Sequence, residues 1–124
     1  MDTQTTTTTQ QVAEALVSMC RNGQWQEVLE QYYSPNIVSR EANPDAPVGQ
    51  GIEAKIQKSQ QWAENTEIHG MEISDAVVAG SHFSCAMKMD ITDKQHKMRL
   101  TMEEICLYKV ADGKIVEETF FYDM

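Results

Sequence analysis

The sequence predicts a single α+β domain in which the helices come first and a mainly antiparallel sheet follows. Two observations support this class. Three segments within residues 1–65 carry apolar side chains at helical spacing, and four segments after residue 67 alternate between apolar and polar side chains, as strands do. Helices and strands that are segregated along the chain are typical of α+β folds. The 124 residues show no internal repeat and have the size of one domain.

Two helices begin the domain and form a hairpin. The first has apolar residues at Val12, Ala15, Leu16 and Met19. Thr8 and Gln11 have the spacing of a capping box at its start, and Gly23 can end it in a left-handed conformation. The second has apolar residues at Trp25, Val28, Leu29 and Tyr32. We expect it to run to about Tyr33, because a residue that precedes proline, here Ser34, disfavours the helical conformation.

A short strand, a loop and a third helix follow the hairpin. The strand is predicted at residues 37–42, and the prolines and glycines of residues 43–51 indicate the loop. A stripe of Ile52, Ile56, Ser59 and Ala63 predicts the third helix at residues 52–65. The remaining strands are predicted at about residues 68–78, 81–92, 97–110 and 114–123.

The start of the chain is predicted to be disordered. Residues 5–9 are all threonine, and such a low-complexity tract has no apolar side chains to bury against a core. We therefore expect a disordered tail at residues 1–10 and a folded domain at residues 11–124.

The composition excludes several kinds of partner. Acidic residues outnumber basic ones by 19 to 10, a net charge of −9, so neither nucleic acid nor an anionic membrane surface is expected as a partner. No segment is apolar enough to cross a membrane, and the N-terminus lacks the features of a secretory signal, so a cytoplasmic location is expected. Cys20, Cys85 and Cys106 have no CxxC spacing and are expected to be reduced core residues.

The last two strands each carry one glutamate within an apolar row. Glu104 is the single charged member of the row Met98, Leu100, Met102, Cys106, Tyr108 and Val110. Glu118 is the single charged member of the row Val116, Phe120 and Tyr122. A carboxyl group in apolar surroundings has its charged form destabilised, which raises its pKa and suits it to acid–base chemistry near neutral pH. Glu104 and Glu118 are therefore candidate catalytic residues.

The register of this hairpin depends on its turn. A two-residue Asp112-Gly113 turn would place Glu104 opposite Phe121 and mix apolar with polar rows. A three-residue loop, residues 111–113, keeps one face apolar, and we prefer it. Glu104 and Glu118 would then be diagonal neighbours, and at least one should keep its proton above the usual pKa of about 4.3. The resulting pairs are Met102 with Tyr122, Glu104 with Phe120, and Cys106 with Glu118.

The order of the elements and several segments resemble the SnoaL-like branch of the nuclear transport factor two-like superfamily, which is akin to ketosteroid isomerases and polyketide cyclases. The segments are YYSPNIVSREA, GQGIEAKIQKSQQW, EIHG and EEICLYKVADGKIVEETFFYD. The resemblance implies a strongly curved sheet that wraps around three N-terminal helices as a cone, a cystatin-like α+β barrel. It also implies a pocket at the open end and, commonly, a homodimer.

The resemblance also points to site residues. Ketosteroid isomerases have a carboxylate base at the end of the first strand, and the matching position here is Glu41. SnoaL-type cyclases use a late aspartate as general acid and base, and Asp123 is a rough positional match, although the preferred register turns it away from the apolar row. The expected pocket residues are Trp62, His69, Met102, Tyr108, Phe120 and Tyr122. The three histidines lack metal-ligand spacing, so we expect neither a metal nor a cofactor.

These features predict a pocket for a small apolar or aromatic molecule that carries a carbonyl group. On such a ligand the protein would catalyse proton transfer, as an isomerase, cyclase or dehydratase does. A noncatalytic ligand-binding or dimerisation module is the alternative. The opposite face of the late strands is too apolar for a solvated sheet, so a second copy of the chain is expected to cover it. Its apolar residues are Ile105, Leu107, Ile115 and Phe121.

Overall fold

The structure, a computed structural model, describes residues 8–123. Its elements in chain order are α1 (Thr9–Arg21), α2 (Trp25–Tyr32), β1 (Tyr33–Glu41), β2 (Gly49–Gln50), α3 (Ile52–Asn65), β3 (Thr66–Ile73), β4 (Val77–Ala79), β5 (His82–Asp93), β6 (Met98–Ala111) and β7 (Lys114–Tyr122). The predicted α+β class and the three helices are confirmed. Most of the predicted disordered tail, residues 1–7, lies outside the described residues. Residues 8–10, which the prediction also assigned to the tail, form the cap and first turn of α1.

The first helix begins with the predicted capping box. Thr8 Oγ1 accepts a hydrogen bond from the backbone N–H of Gln11 at 3.1 Å, and Gln11 Oε1 accepts one from the backbone N–H of Thr8 at 2.8 Å. Both bonds satisfy N–H groups that have no partner inside the helix. Gly23, with φ of 73°, follows the helix in the left-handed conformation. The end positions of α1 therefore follow from local sequence.

The sheet has the strand order β2-β1-β7-β6-β5-β3, and β4 pairs with β5. Neighbouring strands are antiparallel except for the parallel pair β1 and β7. Since β2 and β3 form two free ends of this order, the sheet is open rather than a closed barrel. Helices α1 and α2 contribute to the core together with the inner face of the sheet. The most buried core residues are Val12, Ala13, Leu16, Ile37, Phe83, Cys106 and Ile115.

The strand predicted at residues 68–78 is divided into β3 and β4. The side chain of Arg21 on α1 donates two hydrogen bonds to the carbonyl oxygen of Ile73, at 2.6 and 3.2 Å, and pairs with Asp75 at 3.0 Å. The backbone N–H of Ala86 donates to the hydroxyl of Ser74 at 2.8 Å. Because side chains satisfy backbone groups here, the chain leaves regular pairing between the two strands.

The turn between β6 and β7 corrects the predicted register. Asp112 and Gly113 form a two-residue turn with φ of 52° and 74°, as a type I′ hairpin requires, so the predicted three-residue loop is wrong. A register shift follows, since Val110 pairs with Ile115 but Lys109 pairs with Glu117. This β-bulge inserts one residue into β7 and shifts the pairing of the rest of β7 with β6 by one residue.

The bulge keeps the predicted apolar face of β6 but changes its partners. Glu104 lies opposite Tyr122, Cys106 opposite Phe120, and Tyr108 opposite Glu118. Glu104 and Glu118 therefore share one face, as predicted, but they are not diagonal neighbours. Ile115 is fully buried rather than on the outer face. Val116 does not lie on the inner face, where it was predicted, because the bulge changes which side chains of β7 point inward.

Candidate functional site

Three glutamates, Glu118, Glu104 and Glu41, bring carboxyl groups to the inner side of the sheet. Glu41 lies at the end of β1, Glu104 lies on β6 and Glu118 lies on the neighbouring strand β7. Their surroundings differ in burial and in partners. These differences decide what each carboxyl group can do chemically.

Glu118 is completely buried and fully hydrogen-bonded. Tyr33 Oη donates to its Oε1 at 2.5 Å and Ser39 Oγ donates to its Oε2 at 2.5 Å. Lys55 Nζ lies 2.8 Å from the same Oε2, and the Lys55 side chain is only 14% exposed. The lysine ammonium also lies 5.0 Å from the centre of the Phe120 ring, within the range of a cation–π interaction.

These contacts make Glu118 an internal anchor rather than a group open to a ligand. Its carboxylate joins two residues of β1 to one residue of α3, and no part of the Glu118 side chain is exposed. Burial raises the pKa of the Tyr33 hydroxyl well above its ordinary value, and the neighbouring Glu118 charge adds to this. The tyrosine therefore remains a hydrogen-bond donor.

Glu104 is half-buried and has no cation beside it among the ion pairs of residues 8–123. Cys106 Sγ donates a weak hydrogen bond to its Oε1 at 3.6 Å. Burial raises the pKa of the Glu104 carboxyl, and the charges of Glu41 and Glu118 add to the increase. The Cys106 hydrogen bond and the charge of Lys55 act in the opposite direction. This direction agrees with the predicted rise in the pKa of Glu104, and its largest cause is burial rather than a neighbouring glutamate.

Glu41 ends β1 and has a partner on each carboxylate oxygen. Lys58 Nζ forms an ion pair with Oε1, and Tyr122 Oη donates to Oε2 at 3.1 Å. The Glu41 side chain is 16% exposed, whereas that of Lys58 is 53% exposed. Burial and the charge of Glu41 raise the pKa of Tyr122. Tyr122 also lies opposite Glu104, so one tyrosine connects the two carboxyl groups.

A hollow of about 350 Å³ lies between α3 and the inner face of β5 and β6. Six of its ten lining residues are polar or charged, and the other four, Trp62, Ile91, Leu100 and Met102, are apolar. The lining residues on α3 and just after it are Lys58, Gln61, Trp62, Asn65 and Thr66, and those on or near β5 and β6 are Ile91, Asp93, Gln95, Leu100 and Met102.

A second, more open depression of about 690 Å³ surrounds the end of β7 and includes Glu104 and Tyr122. The two hollows are neighbours, because Met102 lines the first and Glu104, two residues further on the same strand face, lines the second. Glu41 lines neither hollow, but its partner Lys58 lines the first and its partner Tyr122 lines the second.

The structure brings together only part of the predicted pocket. Trp62 and Met102 line the first hollow and Tyr122 lines the second. Tyr108 is instead a core residue that stacks on Phe83 with ring centres 4.7 Å apart. Phe120 lies against Lys55, and His69 is exposed and bonded to Thr92 at 2.6 Å.

Lys55 and Lys58 were missed by the sequence analysis. They lie three residues apart on α3, beside the apolar stripe that predicted this helix, so they share one side of it. Their spacing in the sequence could have indicated that the two lysines act together, but it does not identify their partners, which lie on β1 and β7. Asp123 lines the second depression. Within residues 8–123 no cluster of His, Cys, Asp or Glu could hold a metal ion, and no helix is long and apolar enough to span a membrane.

The three helices and the open, mostly antiparallel sheet give the chain a fold like that of solved structures described as cystatin-like and ntf2-like. A family model described as a SnoaL-like domain matches residues 7–122. The chain therefore belongs to the SnoaL-like domain family.

Solved structures support this assignment. A Mesorhizobium loti protein named as a SnoaL-like polyketide cyclase is 38% identical, with a TM-score of 0.88 over 93% of this chain and 99% of that one. A Jannaschia protein of the same description is 17% identical, with a TM-score of 0.75 over 99% and 91% of the two chains. A Xanthomonas campestris protein with a cystatin-like fold, also 17% identical, has a TM-score of 0.75 over 94% and 91%. No curated protein matches the chain.

Proposed function

We propose that the protein binds a small apolar carbonyl compound between α3 and the inner face of the sheet and catalyses proton transfer on it. The reaction would be of the isomerase, cyclase or dehydratase type. The name of the Mesorhizobium loti relative includes both polyketide cyclase and carbohydrate phosphatase, and the first of these is consistent with this chemistry. In this proposal Glu41 removes a proton from carbon and Glu104 donates a hydrogen bond or a proton to the carbonyl oxygen.

The contrast between Glu104 and Glu41 carries the proposal. Glu41 has a lysine and a tyrosine as partners, whereas Glu104 has no cationic partner among the ion pairs of residues 8–123 and burial raises its pKa. A raised pKa suits Glu104 to the role of the acid. Tyr122, which lines the second hollow together with Glu104, donates to Glu41, so in this proposal both carboxyl groups act on one ligand.

The incomplete packing of α3 supports the binding of a ligand beneath this helix. No residue of α3 is buried, and Trp62 is 36% exposed although it lines the first hollow. A helix of a globular domain normally buries its apolar stripe against the core. A flat apolar ligand in the hollow would cover Trp62, Leu100 and Met102 and complete this packing.

Exchange of the α-protons of 2-tetralone for deuterium, followed by NMR, tests the proposal. Glu41→Gln and Glu104→Gln should each lower the exchange rate by about 100-fold or more, the usual contribution of a positioned acid or base, while tetralone binding stays within a few-fold. Glu14→Gln, on the exposed side of α1, is the matched control and should change neither quantity.

Two results would contradict the enzymatic role. Wild-type exchange no faster than that of Glu41→Gln would exclude catalysis by this base. If tetralone nevertheless binds, the noncatalytic ligand-binding module is the correct alternative. If it does not bind at all, an apolar carbonyl ligand is the wrong class.

We also propose that a second copy of the chain covers the outer face of β6 and β7, in the cytoplasm. Exposed apolar side chains form a continuous patch there, in which Ile105 lies directly opposite Phe121 and Leu107 lies two residues away; their exposed fractions are 48%, 49% and 37%. Charges of both signs flank the patch, including Lys88 opposite Glu103, so two copies related by a two-fold axis can meet in a complementary way. The three buried, unpaired cysteines are consistent with a reducing compartment.

A further inference from the structure

Lys58 is the cation of the proposed site that is able to change partners. Its ammonium pairs with Glu41 Oε1, but its side chain is 53% exposed and lines the first hollow. Lys55, one helical turn earlier, is 14% exposed and is held by the completely buried Glu118 and by the Phe120 ring. A ligand in the hollow can therefore compete for Lys58 but not for Lys55.

Removal of a proton from carbon changes the charges around Lys58. When Glu41 accepts the proton it becomes neutral, and Lys58 loses its anionic partner. The electron pair of the broken C–H bond forms a C=C bond, and the negative charge appears on the former carbonyl oxygen. Lys58 is then free to move towards this oxygen, to which it is attracted at the moment when the negative charge develops.

We propose that Lys58 is a further catalytic residue, which neutralises Glu41 before proton transfer and the enolate oxygen of the ligand after it. This inference rests on the proposed function and adds the residue that stabilises the anionic intermediate. Tyr122 stays on Glu41, because its raised pKa keeps it a donor and its hydrogen bond lies on the other oxygen. The remaining charged group of the hollow wall, Asp93, is paired with His96 at 2.8 Å and does not compete for the lysine.

The binding of 4-nitrophenolate, an anion that mimics an enolate and is followed by its absorbance, tests this assignment without turnover. Glu41→Gln imitates the protonated base, so Lys58 has no anionic partner in that variant. We expect it to bind 4-nitrophenolate about tenfold or more tightly than wild type does, the effect of one charge-assisted hydrogen bond. The double variant Glu41→Gln/Lys58→Met should lose this gain.

Exchange kinetics give a second readout. Lys58→Met should lower the tetralone exchange rate by about 100-fold while leaving the affinity for the neutral ketone within a few-fold, as removal of an oxyanion donor does. Lys58→Arg should restore part of the rate, since it keeps the charge. Lys114→Met, at the opposite end of β7 from Tyr122, is the control and should behave as wild type.

The outcomes separate this inference from the proposed function. Active wild-type protein with an unchanged rate in Lys58→Met would overturn the role of Lys58 alone. A gain in phenolate affinity that persists in the double variant would also overturn it. Wild-type protein without exchange activity would overturn the catalytic function and, with it, the role of Lys58 in catalysis.

Discussion

Replacing Lys55 by methionine removes the one cation within residues 8–123 that pairs with the completely buried carboxylate of Glu118. Glu118 has no exposed surface, and its charge is balanced by the Lys55 ammonium at 2.8 Å, with Tyr33 and Ser39 as hydrogen-bond donors. Methionine keeps the length and apolar character of the lysine stem. The substitution therefore removes the charge with little change in packing, and it leaves Glu118 with two neutral donors.

The magnitude follows from the burial of the pair. Breaking a buried ion pair by removal of one partner costs about 3–5 kcal/mol, because an uncompensated charge remains. This is a large fraction of the stability of a domain, which is about 5–15 kcal/mol. Lys58→Met is the matched control on the same helix; the Lys58 side chain is 53% exposed, so water screens its ion pair with Glu41 and its loss should cost less than the loss of the Lys55 pair.

Urea unfolding, monitored by the fluorescence of Trp25 and Trp62, measures both free energies of unfolding. Adding Glu118→Gln to Lys55→Met should recover part of the stability, because glutamine carries no charge that needs a partner. If Lys55→Met were no less stable than Lys58→Met, the interpretation of Glu118 as an ion anchored by Lys55 would be wrong.

Two other predictions concern Glu104 and the outer face. The pKa of Glu104 is raised in the folded protein, so the native state holds more protons than the unfolded chain, and the stability from this group should fall as pH rises from its ordinary value of 4.5 through the raised one. Glu104→Gln should flatten that dependence, and carboxyl titration by NMR that finds an ordinary value for Glu104 would refute it. Light scattering after size exclusion should give twice the 14.1 kDa chain mass for wild type and the monomer mass for Phe121→Lys, whereas monomeric wild type would exclude the dimer.

The sequence by itself determined the features that depend on neighbours along the chain. The spacing of apolar residues predicted all three helices, and the Thr8–Gln11 pair predicted the capping box that α1 uses. Alternation predicted which face of β6 is buried and that Glu104 belongs to it. The chemistry of a half-buried carboxyl, including the direction of its pKa shift, followed from that single position.

Only the tertiary structure decided which groups meet. The register of β7 is set by a bulge that follows the Asp112-Gly113 turn, and one inserted residue exchanges the roles of Ile115 and Val116. Sequence patterns cannot locate such an insertion, because both registers are locally acceptable and the choice depends on how the curved sheet packs as a whole.

The ion pairs of the site depend on the same long-range geometry. Lys55 meets Glu118 and Lys58 meets Glu41 because α3 crosses the sheet where the parallel strands β1 and β7 lie side by side. Each pair joins residues far apart in sequence, and no local propensity encodes their distance. The sequence therefore identified the carboxyl groups as candidates for chemistry, and the packing of α3 on the sheet decided that Lys55 anchors Glu118 and that Lys58 pairs with Glu41.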